Sequence, residues 1–412
     1  MIATERQRAH LTFKGNRDVA RHGWVRLTPA YGVRLVEREL AKRPSARVVL
    51  DPFSGTGTTG LCAATAGHTA HLVDLNPFLE WLAKTKTRQY TDADAVRALA
   101  LTETIACTAA ALWRDTMLWQ PPLRNITRWW SPSALAALRA LRAACDAHVD
   151  DSPAADLVLV AFSQTLIDCS AASFNHQSMS FKPPGHPDDE AQASAVHSVI
   201  DDFSTRALTV IEECEPNPPG RAEVHLGDAR ALRSLVGEPV DLLVTSPPYC
   251  NRMSYIRELR PYMYWLRFLN ASREAGELDW QAIGGTWGIA TSRLMTQDLG
   301  EPPPITDGFD RTVKAIAASP DKPNARLLSN YVYKYFVDTW HHVQSTTEVM
   351  APGGELVYIV GNSTFFGHVV PTERWYAELL SAAGYVQVRV EPIRKRNSNK
   401  LLYEYAVTAA KA

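Results

Sequence analysis

The stretch VDLLVTSPPY, Val240–Tyr249, runs an apolar segment into a corner of two hydroxyls, two prolines and a phenol ring. Proline donates no backbone hydrogen bond, so Pro247 and Pro248 end any ladder begun at Val240–Val244. What remains is a rigid corner presenting the Ser246 hydroxyl, free carbonyls and the face of Tyr249. That corner suits a flat polar ligand, and it also serves as an ordinary stiff turn.

A second constellation begins at Asp51 with DPFSGTGTT. Gly55 and Gly57 let a ligand approach the backbone where a Cβ would obstruct it. The stretch lacks the Gly-Lys-Ser/Thr of a nucleotide P-loop, which argues against a triphosphate. Asp74 follows about 20 residues later, where an open α/β fold sets an acid against ribose hydroxyls. Asp228 could accept from the exocyclic amine of an adenine. Each aspartate alone serves equally as a cap or turn residue. Together Asp51, Asp74, Asp228 and the glycine turn describe a pocket for an adenosine-containing cofactor that needs no phosphate.

The elements that must position these residues are legible around them. A helix is predicted from about Ala30 to Ala41, after Pro29. A buried strand at Arg47–Leu50, the glycine turn, a small-residue helix ending near Gly67 and a strand ending at Asp74 make a βαβ unit. Pro77 opens the next helix. From about Thr91 to Cys214 the chain turns rich in alanine and leucine, with helices predicted near 92–113, 132–147, 153–170 and 188–213. Strands then resume, one ending at Asp228 and one at the proline corner. Residues 270–328 read as irregular, with GGTWG, EPPP and SPDKP as turn signals. A helix near 328–350, a strand at Glu355–Val360, a helix near 373–383 stopping at Gly384, and a hairpin of Val386–Val390 with Leu402–Thr408 complete the pattern. The expectation is an α/β fold: an open, mostly parallel, Rossmann-like sheet with flanking helices and a large helical insertion. It divides the chain into a cofactor half (1–90), the insertion (91–215), the catalytic corner (216–269), an irregular segment (270–328) and a closing part (329–412).

DPFSGTGTT, VDLNP, GDAR and TSPPY, in this order, resemble the amino-group DNA methyltransferases that use S-adenosylmethionine. HGWVRLTPAYGVRLV resembles the segment that touches the methionine part of the cofactor in that family, and VMAPGGELVYIV its Pro-Gly-Gly strand entry. The resemblance covers residues 22–88, 222–268 and 345–408. It implies S-adenosylmethionine as cofactor, held by Thr28, Pro29, Asp51, Pro52, Phe53, Gly55, Gly57, Thr58, Asp74, Asn76, Asp228, Ala229 and Thr245. It implies Ser246, Pro247, Pro248 and Tyr249 as the catalytic corner. DNA is the implied partner, with a cognate restriction endonuclease as a companion known in such systems. In the family, Ser-Pro-Pro-Tyr goes mainly with N4 of cytosine, and Asp- or Asn-Pro-Pro-Tyr with N6 of adenine. Cytosine N4 is therefore the expected target and adenine N6 the alternative. An RNA amino-methyltransferase or a non-catalytic binding module would share part of the pattern. The glycine turn precedes the proline corner, so the recognition region is expected at 270–328, unless the helical insertion has taken that role.

An exocyclic base amine is a poor nucleophile because its lone pair is delocalised into the ring. Acceptors aimed at its two N–H groups would hold it in line and make it more sp³-like; Ser246 Oγ and the Pro247 carbonyl are the candidates. Such positioning can lower a barrier by about 7–11 kcal/mol. A base in a duplex cannot reach the corner, so flipping or a single strand is required. Arg252, Arg257, Arg260 and Arg267, interleaved with Tyr255, Tyr262 and Trp265, are expected to form a basic and aromatic collar, with phosphate contacts from the arginines. IRKRNSNK at 393–400 is a second basic run, and FNHQSMSFK at 174–182 a polar loop. Trp129 and Trp130 are expected in the core of the insertion, and Cys250 as packing.

Bulk properties are those of a soluble globular protein. The 412 residues carry a formal net charge of −1, with 46% hydrophobic and 21% charged residues, so any nucleic-acid surface must be local. The six cysteines form no CxxC or Cys/His group, which predicts reduced thiols and no metal. The opening MIATERQRAHLTFKG has no apolar signal-type run, and a cytoplasmic protein without a membrane span is expected.

Overall fold

In the computed structural model, residues 13–16, 19–25, 32–173, 180–181, 189–396 and 401–412 are described. Seven strands form one sheet: β1 (Val48–Asp51), β2 (Thr69–Asp74), β3 (Arg221–Leu226), β4 (Val240–Thr245), β5 (Met350–Gly361), β6 (Tyr385–Lys395) and β7 (Tyr403–Lys411). Their spatial order is β3-β2-β1-β4-β5-β7-β6. β3, β2, β1, β4 and β5 are parallel, and β7 runs antiparallel to both β5 and β6. The chain starts mid-sheet, moves outward to β3, then returns to β4 on the other side of β1. That reversal is a topological switch point, where open α/β sheets hold ligands beyond the carboxyl ends of their strands. The glycine turn follows β1 and the proline corner follows β4, so the switch brings the two constellations together.

Helices α1 (Val33–Ala41), α2 (Thr58–Thr65) and α3 (Pro77–Thr87) flank this half of the sheet. The insertion holds α4 (Asp92–Leu112), α5 (Pro132–His148), α6 (Pro153–Asp168) and α7 (Asp189–Glu212). Their starts follow local chemistry. Thr91 and Asp94 form a reciprocal capping box at α4, and Ser131 and Ser152 cap α5 and α6 with Pro132 and Pro153 at the first turn. Thr91→Ala is expected to cost about 1 kcal/mol, read as a lower denaturant midpoint at unchanged slope. By length and composition alone α4 could cross a membrane; here its Ala98, Thr102, Ile105 and Ala109 are buried.

Beyond the corner lie α8 (Tyr255–Trp265), α9 (Ser272–Gln281), α10 (Ile289–Thr296) and α11 (Phe309–Ala317), then α12 (Ala325–Val349) and α13 (Thr372–Ala382). The expectation of irregular chain at 270–328 is thus corrected: three helices of eight to ten residues occupy it. α9 and α10 are short stretches between glycine and proline punctuation, whereas α11 does carry Phe309, Val313 and Ile316 at helical spacing on a core-facing side. The strand after α12 also begins earlier than expected, taking the Ala-Pro-Gly-Gly stretch into β5.

Among the described residues the core falls into three clusters. The largest joins the insertion to α3 and α8, and it contains Trp129 and Trp130. Trp265 is fully buried, with Trp119, Trp130 and Phe162 edge-on to its ring. The insertion therefore grips the helix that follows the proline corner. A second cluster lies between the sheet and α12 and α13, and a third under α1.

Candidate active site

A cleft of about 1030 Å³, its open mouth included, lies over the carboxyl ends of β1, β2, β3 and β4. Of the residues expected to hold a cofactor, it is lined by Pro52, Phe53, Gly55, Thr58, Asp74, Asn76, Asp228 and Ala229. Ser246, Pro248 and Tyr255 line it as well. Thr28 and Pro29 lie outside the described residues.

Asp74 organises the turn. Its Oδ2 accepts from Gly55 N at 2.9 Å and its Oδ1 from Asn76 N at 2.8 Å. Burial raises its pKa to about 7 against the pull of those N–H groups, with the nearby Asp51 charge adding to the rise. Asn76 caps α3, its Oδ1 accepting from Phe78 N at 3.0 Å. Gly55 takes φ +51°, the left-handed region that favours glycine.

Asp228 sits two residues past the end of β3 and behaves differently. Although burial raises its pKa, hydrogen bonds and the charge of Arg230 outweigh that and hold it below the usual carboxylate range. Arg230 forks onto Asp228 at 2.7–3.1 Å, and also reaches Asp338 at 2.7 Å and the Gln281 carbonyl at 2.7 Å. It ties the cleft wall to α12 and to the end of α9. Beneath Ala229, the buried His342 ring makes Nδ1 and Nε2 contacts of 2.9 Å with the Ala229 carbonyl and the Tyr358 hydroxyl. Burial lowers the His342 pKa to about 4, so the ring is neutral. With Nδ1 donating to the carbonyl, Nε2 accepts from the tyrosine. The same ring stands edge-on to Phe53, 4.7 Å between centroids.

Three expected cofactor residues do not reach the cleft. Asp51 and Thr245 are fully buried, and Thr245 donates to Asp51 at 2.6 Å. Asp51 also accepts from Phe53 N at 3.1 Å, so this pair fastens the glycine turn to the proline corner. Gly57 has φ +79° and packs on Ala83, where an added Cβ would lie 3.1 Å away. Its glycine serves the turn and the approach of α3.

At the corner, Ser246 donates to the Ile359 carbonyl at 3.2 Å. Tyr335 donates to the Pro248 carbonyl at 2.7 Å, and Asn251 N to the Tyr249 carbonyl at 2.7 Å. The Pro247 carbonyl has no hydrogen-bond donor among the described residues. Pro247 itself is buried and outside the cleft lining. Tyr249 is half-buried, also outside that lining, and packs against Gly361, with Arg396 over its ring at 5.2 Å. Cys250 is fully buried, and burial pushes its thiol pKa up.

The collar is only partly present. Tyr262 and Trp265 are buried in the insertion core, because α8 turns that face inward. Arg267 pairs with Asp146 at 2.6 Å, and Arg260 stacks on Trp287 at 4.7 Å. Arg252 is exposed, and Arg257 and Tyr255 are half-buried. Of the second basic run, Arg394 pairs with Glu404 at 2.6 Å; residues 397–400 lie outside the described residues. In 174–182 only Ser180 and Phe181 are described, and Phe181 lies edge-on to Trp129.

The main feature missed from sequence is the far wall, Asp279 to Gly285, which includes the end of α9. Asp279 accepts from the Ser254 hydroxyl and from Trp287 N at 2.7 Å. Its Gly-Gly doublet read only as a turn. An added Cβ on Gly285 would lie 1.6 Å from the Asp279 carbonyl oxygen. Gly285→Ala is expected to shift this wall and weaken ligand binding in the cleft about tenfold, measured by calorimetry.

Two curated proteins are similar to the chain over most of its length. Type II methyltransferase M.MvaI of Kocuria varians is 20% identical over 370 residues, covering 86% of this chain and 78% of its own. Type II methyltransferase M.BsoBI of Geobacillus stearothermophilus is 17% identical over 441 residues, covering 94% and 83%. The similarity is distant, and it supports a DNA methyltransferase family. No protein-family model matches the chain, and no solved structure does.

Proposed function

We propose that this protein methylates DNA at the exocyclic N4 of cytosine, with S-adenosylmethionine as methyl donor. The observation that carries the reading is one cleft lined by both the Asp74 turn and, from the proline corner, Ser246 and Pro248. The cleft suits the cofactor: a carboxylate at the glycine turn for a ribose diol, Phe53, Leu75 and Ile283 as apolar walls, and Asp228 beside Ala229 for an adenine edge. The sulfonium of the cofactor supplies the electrophilic methyl group.

The chain's own contribution is position. Ser246 Oγ and the Pro247 carbonyl accept from the amine, and Pro248, pinned by Tyr335, keeps the corner from relaxing. Tyr249, backed by Gly361 and Arg396, supplies the surface for the flipped base. Arg252 and Arg257 contact phosphate. Residues 270–328 read the DNA, with their first part serving the cofactor cleft. Adenine N6 is the second reading, since the same acceptors suit either amine.

The test is mass spectrometry of nucleosides from unmethylated DNA incubated with protein and S-adenosylmethionine, with a parallel RNA sample. N4-methylcytosine supports the proposal, and N6-methyladenine moves it to the second reading. Methylated RNA without methylated DNA overturns the substrate. Cofactor binding with no nucleic-acid product overturns the activity.

A further inference from the structure

β2 and β3 pair in parallel with His71 opposite Glu223 and Val73 opposite His225. Alternation along the strands sends His71, Glu223 and His225 to one face at the edge of the sheet. His71 Nδ1 lies 3.4 Å from His225 Nε2 and 3.8 Å from Glu223 Oε2. All three donor atoms lie within 4.8 Å of one another. Around a tetrahedral zinc ion with bonds of about 2.0–2.1 Å, neighbouring donors stand about 3.4 Å apart. The His71–His225 spacing equals that separation, and the exposed Glu223 side chain stands farther out, from where it would swing in to share one small cation.

A second observation concerns the other side of His71. Its Nε2 lies 3.0 Å from Glu238 Oε1. A carboxylate there holds the proton on Nε2 and leaves the Nδ1 lone pair facing His225 and Glu223. Metal-binding histidines are commonly oriented by such an outer carboxylate. His71 is only 3% exposed, so its ring is fixed by packing. From these contacts we propose that His71, His225 and Glu223 form a divalent-metal site of zinc type, with Glu238 orienting His71.

Other charges face the cluster. Arg221 lies 3.9 Å from Glu223 and 3.8 Å from Glu238, with its side chain 66% exposed. Such long, solvated contacts are weak and yield to a cation. Lys84 and Glu80 of α3 pair with each other nearby. The site would tie β2, β3 and the turn before β4 together, just below Asp74 and Asp228. The ligands come from two strands far apart in sequence, which is why a search for a local Cys/His run predicts no metal.

The experiment uses the untagged full chain stripped with chelator. Cobalt(II) titration is expected to give the visible d–d bands of tetrahedral coordination at one equivalent, and calorimetry one zinc per chain. His225→Ala is expected to weaken zinc binding at least about 100-fold and Glu238→Gln about 10- to 100-fold, while Arg221→Ala leaves it undiminished. His225 and Glu238 are half-exposed, and circular dichroism checks that both variants fold. The proposal is overturned if stripped wild type binds no zinc at micromolar concentration. It is equally overturned if His225→Ala and Glu223→Gln bind as tightly as wild type.

Discussion

Ser246→Ala is expected to lower the single-turnover methylation rate about 100- to 1000-fold and to leave the dissociation constant for S-adenosylmethionine unchanged. The magnitude is that of removing one preorganised hydrogen-bonding group aimed at the reacting atoms. The separation of rate from affinity follows from the surroundings. The Thr245–Asp51 bond and the Tyr335 bond to Pro248 do not involve the Ser246 side chain, so the corner keeps its backbone. The side chain lost is the one that donates to Ile359 and keeps lone pairs for an amine. Were Ser246 merely a structural tie to β5, its loss would lower the melting temperature and cofactor affinity while sparing the rate. Rapid-quench kinetics beside calorimetry distinguishes the two. Tyr249→Ala is expected to impair base binding in the same assay, seen as a raised DNA KM.

What could be read in advance was whatever local chemistry fixes. The helices expected near 92–113, 132–147 and 153–170 start at a capping box and two Ser-Pro pairs, local chemistry that needs no tertiary context. Asp74 was legible because its distance from the glycine turn is set by one helix and one strand. Tertiary packing decided the rest. On α8, arginines alternate with aromatics, which reads as a collar; yet Ile256, Leu259 and Met263 share a buried stripe, and the insertion claims Tyr262 and Trp265 along with it. Asp51 resembles a third ligand-binding acid, but Thr245 from a strand 194 residues away takes its carboxylate. The wall from Asp279 to Gly285 has no period of its own. It becomes part of the cleft through Arg230 and Ser254, contacts that no local pattern announces.

Asp74 leads to the second large effect, on cofactor affinity and its pH dependence. Its pKa of about 7 in the free protein reflects burial that two N–H donors do not fully offset. A raised folded-state pKa means that this group's contribution to folding stability is full below about pH 4 and is lost as pH rises through about 7. A ribose diol donates to the ionised form, so binding pulls the pKa down and releases a proton wherever the free carboxyl is protonated. The dissociation constant should therefore fall as pH rises toward 7, by up to about tenfold per unit, and level off above it. Calorimetry in two buffers of different ionisation enthalpy would show the released proton directly. Asp228 does not titrate in this window, because Arg230 holds it ionised. Asp279, whose pKa burial also raises, is separated from Asp74 by mutation. Asp74→Asn keeps the shape but replaces a charged acceptor, which is expected to weaken cofactor binding about 100-fold. It should also flatten the pH profile and abolish proton release. A profile that stays steep in Asp74→Asn would assign the titration to Asp279 and remove Asp74 from the diol.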